Sequence, residues 1–208
     1  MHFSYTILLI TITSLISFYA YDNRSWFDRL SFRPYEIKRN KGEAFRFISH
    51  AFIHADFVHL LFNMLVLYMF GELLERYFFD MYGQKGLYYY VLLYFGGALF
   101  GTLPAMAKHK DNIMYTSVGA SGATTALVFS YIAFFPTHRL GLMFIPIQLP
   151  AIIFGVLILI AEYYLGKRGN TNIAHDAHIY GALYGFAFTL LLDHEILSNF
   201  INQLKHGF

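Results

Sequence analysis

YTSVGASGATTALVFSY, residues Tyr115 to Tyr131, is apolar enough to cross a bilayer, yet it carries a serine between glycines near its start. A single hydroxyl in such a run is ordinary packing, so the meaning of Ser121 depends on what else in the chain can reach it. The run itself is one of several. Apolar residues make up 57% of the 208 and charged residues only 13%, too little charge to coat a globular surface. A helical span needs about 20 mainly apolar residues, and six blocks of that size occur, near 3–21, 57–79, 87–107, 115–135, 142–165 and 174–192. The pattern predicts an all-α polytopic membrane protein, one six-helix bundle forming a single domain over 1–208.

The first block has no basic stretch before it and no clear small-residue cleavage site, so it reads as a retained span rather than a removed signal peptide. Cysteine is absent, which excludes disulfides, thiolate metal sites and a cysteine nucleophile. A net charge of +2 without a basic run gives no reason to expect nucleic acid. Tyr88, Tyr89, Tyr90, Tyr163 and Tyr164 sit at block ends, where interfacial aromatic belts form. The long connection 22–56 contains WFDRLSFRPY and AFRFISHAFIH, amphipathic enough to lie in the membrane interface. The other connections are short.

Ionisable and amide side chains inside spans mark function more often than chance. In HLLFN of the second block, His59 and Asn63 are four apart and share a helix face. In AHIYGALYG of the sixth, His178, Gly181 and Gly185 share another. Gly181 and Gly185 form the small-xxx-small pattern that lets membrane helices approach closely. If that face meets Gly119 and Gly122, Ser121 and His178 become neighbours. A neutral imidazole could then activate the serine, with His59, Asn63 and the Ser121 backbone N–H as oxyanion donors. Singly, each residue has a plain reading: a packing serine, a satisfied core histidine, interhelical polar glue. Their co-occurrence, each on a small-residue or polar face, points to a catalytic set.

These residues resemble the rhomboid intramembrane serine proteases: HxxxN at His59/Asn63, GxSG at Gly119–Gly122, and AHxxGxxxG at Ala177–Gly185. The six-span layout with a long interfacial first loop agrees, so the likeness covers nearly the whole chain. It implies a dyad of Ser121 as nucleophile and His178 as general base, with no third carboxylate and no cofactor or metal. Asp176 is expected to point to another face, as a solvated loop residue. Arg46 matches the arginine of the family's Trp-Arg loop motif, and Glu75 a structural glutamate. Two departures stand out. Phe45 replaces the usual Trp, and Thr125 replaces a Tyr that stacks under the histidine in some bacterial members, which leaves open how His178 is held.

The resemblance further implies transmembrane protein substrates cut near the end of a span, commonly after a small residue. A minimal chain without an organellar transit peptide leads to the expectation of a bacterial plasma membrane. Bacterial members keep both termini in the cytoplasm. The charges disagree: the first loop holds seven Lys and Arg, and Lys108, Lys110, Lys167 and Arg168 bring that side to eleven, against four on the other. By the positive-inside rule the long loop would be cytoplasmic. Because that loop is expected to rest on the membrane and also carries acids, the expectation follows the resemblance. Pro146 and Pro150 make the start of the fifth block a candidate gate, although kinking without gating is an equal reading.

Other classes fit less well. HEILS at His194 lacks the second histidine of HExxH, paired aspartates inside spans are missing, and His50, His54 and His59 scatter across a loop and a helix start. A transporter path through His59, Asn63 and Glu72 lacks repeat symmetry. A non-catalytic relative would typically lack the serine or the histidine.

Overall fold

The computed structural model describes residues 4–141, 147–168 and 174–207, most of them helical. Helix α1 (Tyr5–Asp22) begins behind Ser4, whose Oγ accepts the Ile7 N–H at 3.1 Å, a capping role that suits serine. The chain then winds through short helices α2 (Arg24–Leu30), α3 (Pro34–Arg39) and α4 (Arg46–Ser49), with tight turns at Lys41–Phe45 and His50–Phe52. Helix α5 (Phe57–Val66) is capped by Asp56, which accepts the His59 N–H at 2.8 Å. It passes through a π turn, Leu67–Gly71, into α6 (Glu72–Tyr82) as one continuous rod. Then come α7 (Gln84–His109), α8 (Ser121–Phe134), α9 (Ala151–Arg168), α10 (His175–Leu192) and α11 (His194–His206).

Among the described residues, Tyr5–Asp22, Phe57–Tyr82 and Gln84–His109 are long and apolar enough to cross a membrane, and Ser121–Phe134 is a shorter apolar helix. With this composition the chain is an integral membrane protein. Helix α8 stands at the centre: eleven of its fourteen residues are buried, so it is enclosed all round rather than on one stripe. Leu60, Leu67, Leu74, Leu93, Tyr94 and Leu127 build the main core around it. Helix α1 is held from below by Glu75, itself 2% exposed, whose carboxylate accepts the Tyr5 and Thr6 N–H groups at 2.8 Å each and the Thr6 hydroxyl at 2.7 Å. A carboxylate on the first N–H groups of a helix is favoured by both hydrogen bonding and the dipole.

Two expected boundaries move and one helix is added. The fourth span starts at Ser121, not 115. Residues 115–120 ahead of it are not helical, and Ser117 exchanges backbone hydrogen bonds with Phe32 at 2.9 and 3.1 Å, a long-range pairing that apolarity alone does not announce. The fifth span starts at Ala151, because β1 (Arg139–Gly141) and β2 (Gln148–Pro150) pair antiparallel across its expected beginning. Pro150 closes that hairpin; Pro146 lies outside the described residues. Helix α11 was not expected at all. It packs on α8, and Gln203 Nε2 donates to the Phe134 carbonyl at 2.9 Å, satisfying an orphan acceptor at the helix C-terminus.

Candidate active site

Ser121 is the first residue of α8, where backbone N–H groups have no partner inside the helix. The two residues before it are fixed from elsewhere. The Gly119 N–H donates to the His50 carbonyl at 2.9 Å. The Ala120 N–H donates to His54 Nε2 at 3.2 Å, and His54 Nδ1 lies 3.1 Å from Ser17 Oγ. An imidazole nitrogen that accepts must be bare, so the proton of His54 sits on Nδ1 and points to Ser17. The Ser17 hydroxyl in turn donates to the Phe52 carbonyl at 3.0 Å. Burial pushes His54 down to about 3, with repulsion from His59 and His50 acting the same way and Asp56 opposing. A neutral ring is what this chain of donors requires.

Gly119 has φ of +116°, and a Cβ there would lie 2.5 Å from His59 Cε1. Only glycine suits both the backbone and the ring against it. The His59 ring therefore packs beside the turn that leads to Ser121. One turn further along α5, Asn63 is buried, donates from Nδ2 to the His59 carbonyl at 2.9 Å, and accepts the Thr124 hydroxyl at Oδ1 at 3.1 Å. Thr124 Oγ1 also lies 3.2 Å from the Ser121 carbonyl oxygen. These contacts fix which way the amide points and leave one Nδ2 hydrogen uncommitted.

Glycines join α8 to α10. A Cβ on Gly181 would stand 2.3 Å from the Gly122 carbonyl oxygen, and one on Gly185 would stand 2.1 Å from that of Ala126. The backbones are in contact along two turns. Ser121 precedes Gly122 directly and His178 lies one turn before Gly181, so the contact brings both to the same end of the pair. No hydrogen bond joins Ser121 to His178 among the described residues; such bonds are often long until substrate arrives.

What His178 does contact is a carboxylate. Its Nδ1 lies 2.9 Å from Glu162 Oε1, and the Nδ1 of His175 lies 2.6 Å from Glu162 Oε2. Glu162 sits on α9 and is 19% exposed, with His178 at 18% and His175 at 6%. The resemblance implies a two-residue set without a carboxylate, and Glu162 lies within hydrogen-bond distance of the histidine of that set. The signal was present in the sequence, since Glu162 is the acid in AIIFGVLILIAEYYLGKR, an ionisable group within an apolar helix. Asp176 is exposed, as expected, although it belongs to the first turn of α10 and not to a loop. Glu162, His175 and His178 place three donor atoms within 4.8 Å of one another, a set that by donor type could also take a divalent ion such as zinc.

A cavity of about 160 Å³ opens beside Ser121, with His50, Ser117, His175 and Asp176 among its polar walls. It has room for several water molecules. Farther out, Arg46 is buried and gathers the first loop: its Nε donates to Glu43 at 2.6 Å and its guanidinium to the Asp28 and Ser31 carbonyls at 2.7 and 2.8 Å. The Phe45 ring lies 5.4 Å from the Arg46 guanidinium carbon, close enough for a cation–π contact, so the residue in place of Trp still offers an aromatic face.

Residues 41–195 match the family model described as the Rhomboid domain. The chain is 30% identical over 156 residues to "RHOMBOID-like protein 12, mitochondrial" of Arabidopsis thaliana, covering 68% of this chain and 44% of the plant protein. It is 29% identical over 159 residues to "Putative rhomboid protease YdcA" of Bacillus subtilis, covering 76% and 71%. To "Rhomboid-related protein 1" of Caenorhabditis elegans it is 27% identical over 170 residues, covering 79% and 44%. The chain thus spans less than half the length of the plant and worm proteins and most of the bacterial one.

Proposed function

Since the chain belongs to the rhomboid family, we propose that it is an intramembrane serine endopeptidase that hydrolyses peptide bonds in or near the transmembrane helices of membrane-protein substrates. In this reading six helical passes form the bundle: α1, the α5–α6 rod, α7, α8, α9 and α10. The bacterial relative, matched over most of its own length, favours a bacterial plasma membrane over the mitochondrion named for the plant protein. Both termini are placed in the cytoplasm.

Chemically, Ser121 Oγ attacks the scissile carbonyl while His178 Nε2 takes its proton, a role typically worth ~10²–10⁴ in rate. The oxyanion that forms is met by the free Nδ2 hydrogen of Asn63, the His59 ring and the Ser121 backbone N–H; one such donor is worth about 10²–10³. His178 then passes the proton to the leaving amine. The acyl group stays on Ser121 until water from the neighbouring cavity, activated by the same imidazole, releases it.

Helix α8, with fourteen residues, is about 21 Å long, shorter than a hydrocarbon core of about 30 Å. The nucleophile is therefore recessed, and the cavity beside it supplies the water that hydrolysis needs. A substrate helix has its carbonyls engaged in its own hydrogen bonds, so it must unwind locally to be cut. Gly or Pro near the cleavage point helps.

The observation that carries the reading is the backbone contact of Gly122 with Gly181, which sets Ser121 and His178 at one end of a tightly packed helix pair. The test is labelling by a fluorophosphonate probe together with cleavage of a model membrane substrate. Wild-type protein is expected to be labelled at Ser121 and to cut. Ser121→Ala is expected to do neither while keeping its helical content. Undiminished cleavage by Ser121→Ala rejects the nucleophile.

A further inference from the structure

Within the protease reading, on which this inference rests, we propose that Glu162 is a positioning residue of the reaction: its carboxylate orients His178, so that the site works as a Ser–His–Glu relay whose acid comes from the neighbouring helix α9. The geometry is direct. Glu162 Oε1 lies 2.9 Å from His178 Nδ1, and Oε2 lies 2.6 Å from His175 Nδ1. An ionised carboxylate only accepts, so the hydrogen on His178 belongs to Nδ1. That leaves Nε2 as the bare nitrogen, the one a serine proton needs. The second oxygen is held by His175, which fixes the carboxylate's rotation and stops it swinging away from His178.

The placement argues for more than a helix-to-helix tie. A charged group in a predominantly apolar helix is unfavourable unless it is paired, and Glu162 engages two rings at once. One of those rings is the candidate base. During acyl transfer His178 becomes an imidazolium, and a carboxylate on Nδ1 stabilises that charge while keeping the tautomer that the next proton transfer requires. The same contact accounts for how His178 is held where Thr125 offers no aromatic face. It also makes the base sensitive to α9: if the helix shifts outward, His178 loses its orienting partner.

The test compares full-length wild type with Glu162→Gln, Glu162→Asp and His175→Ala in detergent or liposomes, using a model transmembrane substrate. For Glu162→Gln, kcat is expected to fall by ~10²–10⁴, since an amide NH₂ facing Nδ1 favours the wrong tautomer. KM is expected to hold. Glu162→Asp is expected to recover part of kcat, and His175→Ala to lose less than Glu162→Gln. A Glu162→Gln enzyme with kcat within threefold of wild type overturns the inference while Ser121→Ala still reports the protease. Should the variants fail to fold, ¹⁵N-histidine NMR of wild type decides. A proton on His178 Nδ1 supports the proposal, and one on Nε2 overturns it. Loss of wild-type activity on chelation, restored by Zn²⁺, also overturns it by making the three residues metal ligands.

Discussion

Ala120 hands its backbone N–H to Nε2 of His54 at 3.2 Å, so the residue before the candidate nucleophile hangs from an imidazole 66 positions earlier in the chain. Burial holds His54 down to about 3 and His50 to about 4, both from an ordinary 6.5. In each case the folded value lies below the unfolded one. As pH falls below about 6.5 the unfolded chain therefore takes up protons that the folded chain refuses. The stability tied to the two rings is complete above that pH and is lost progressively toward 3. The apparent Tm is expected to decline steadily between about pH 7 and pH 4, and less steeply in His54→Gln, whose amide oxygen can accept from Ala120 without titrating. A wild-type Tm that is flat across that window would contradict the assignment.

Asn63 and Thr124 make a second coupled pair. The Thr124 hydroxyl donates to Asn63 Oδ1 at 3.1 Å and so fixes which way the amide points, with its nitrogen donating to the His59 carbonyl. Asn63→Ala is expected to lower kcat by ~10²–10³ without abolishing it. Thr124→Val keeps the shape, frees the amide to rotate and should cost about tenfold, well short of a full oxyanion donor. The double variant should be no slower than Asn63→Ala alone, because both changes remove the same donor. Additive losses in that cycle would show that Thr124 acts elsewhere.

The α8–α10 contact predicts a third outcome. A methyl group on Gly181 would meet the Gly122 carbonyl at 2.3 Å, and backbone cannot step aside as a flexible side chain can. Gly181→Ala must push the helices apart, at about 1–3 kcal/mol of stability. Because the displacement falls between the proposed nucleophile and the proposed base, kcat/KM is expected to fall by ~10² in protein that remains largely folded. Paired measurement of Tm and kcat/KM checks this: a Tm loss with unchanged activity would mean that Ser121 and His178 do not depend on this contact for their alignment.

The motif residues were legible because each carries its own spacing. His59 and Asn63 fall on one face by arithmetic, and the spacing of Gly181 and Gly185 by itself announces a close helix contact. Glu162 is not legible in the same way, since its meaning depends on two histidines across a connection, and no periodicity links a carboxylate on one helix to rings on the next. The start of α8 was misplaced for a similar reason: Ser117 is extended because Phe32, far away in sequence, supplies its backbone partners. Helix α11 carries little mean hydropathy, so a search for bilayer-length blocks passes over it even though its buried face lies on α8. Local pattern reports helices and faces; pairings between distant segments it leaves unspecified.

Arg46 gives the fourth prediction. Buried among the short helices of the first loop, it reaches the Glu43 carboxylate and the Asp28 and Ser31 carbonyls at once. Charge-assisted hydrogen bonds contribute about 1.5–3 kcal/mol each where the partner would be left unsatisfied, and a lysine lacks the planar fork needed to hold three acceptors. Arg46→Lys and Arg46→Ala are both expected to loosen the segment from α2 to α4, seen as faster proteolysis there and faster hydrogen exchange at Ser31. Phe45→Trp keeps an aromatic face beside the guanidinium and is expected to leave both rates unchanged. The same loop carries the Phe32–Ser117 pairing that leads toward Ser121, so Arg46→Ala should also lower kcat/KM. Protease resistance equal to wild type in Arg46→Ala would place the loop's stability in its apolar contacts instead.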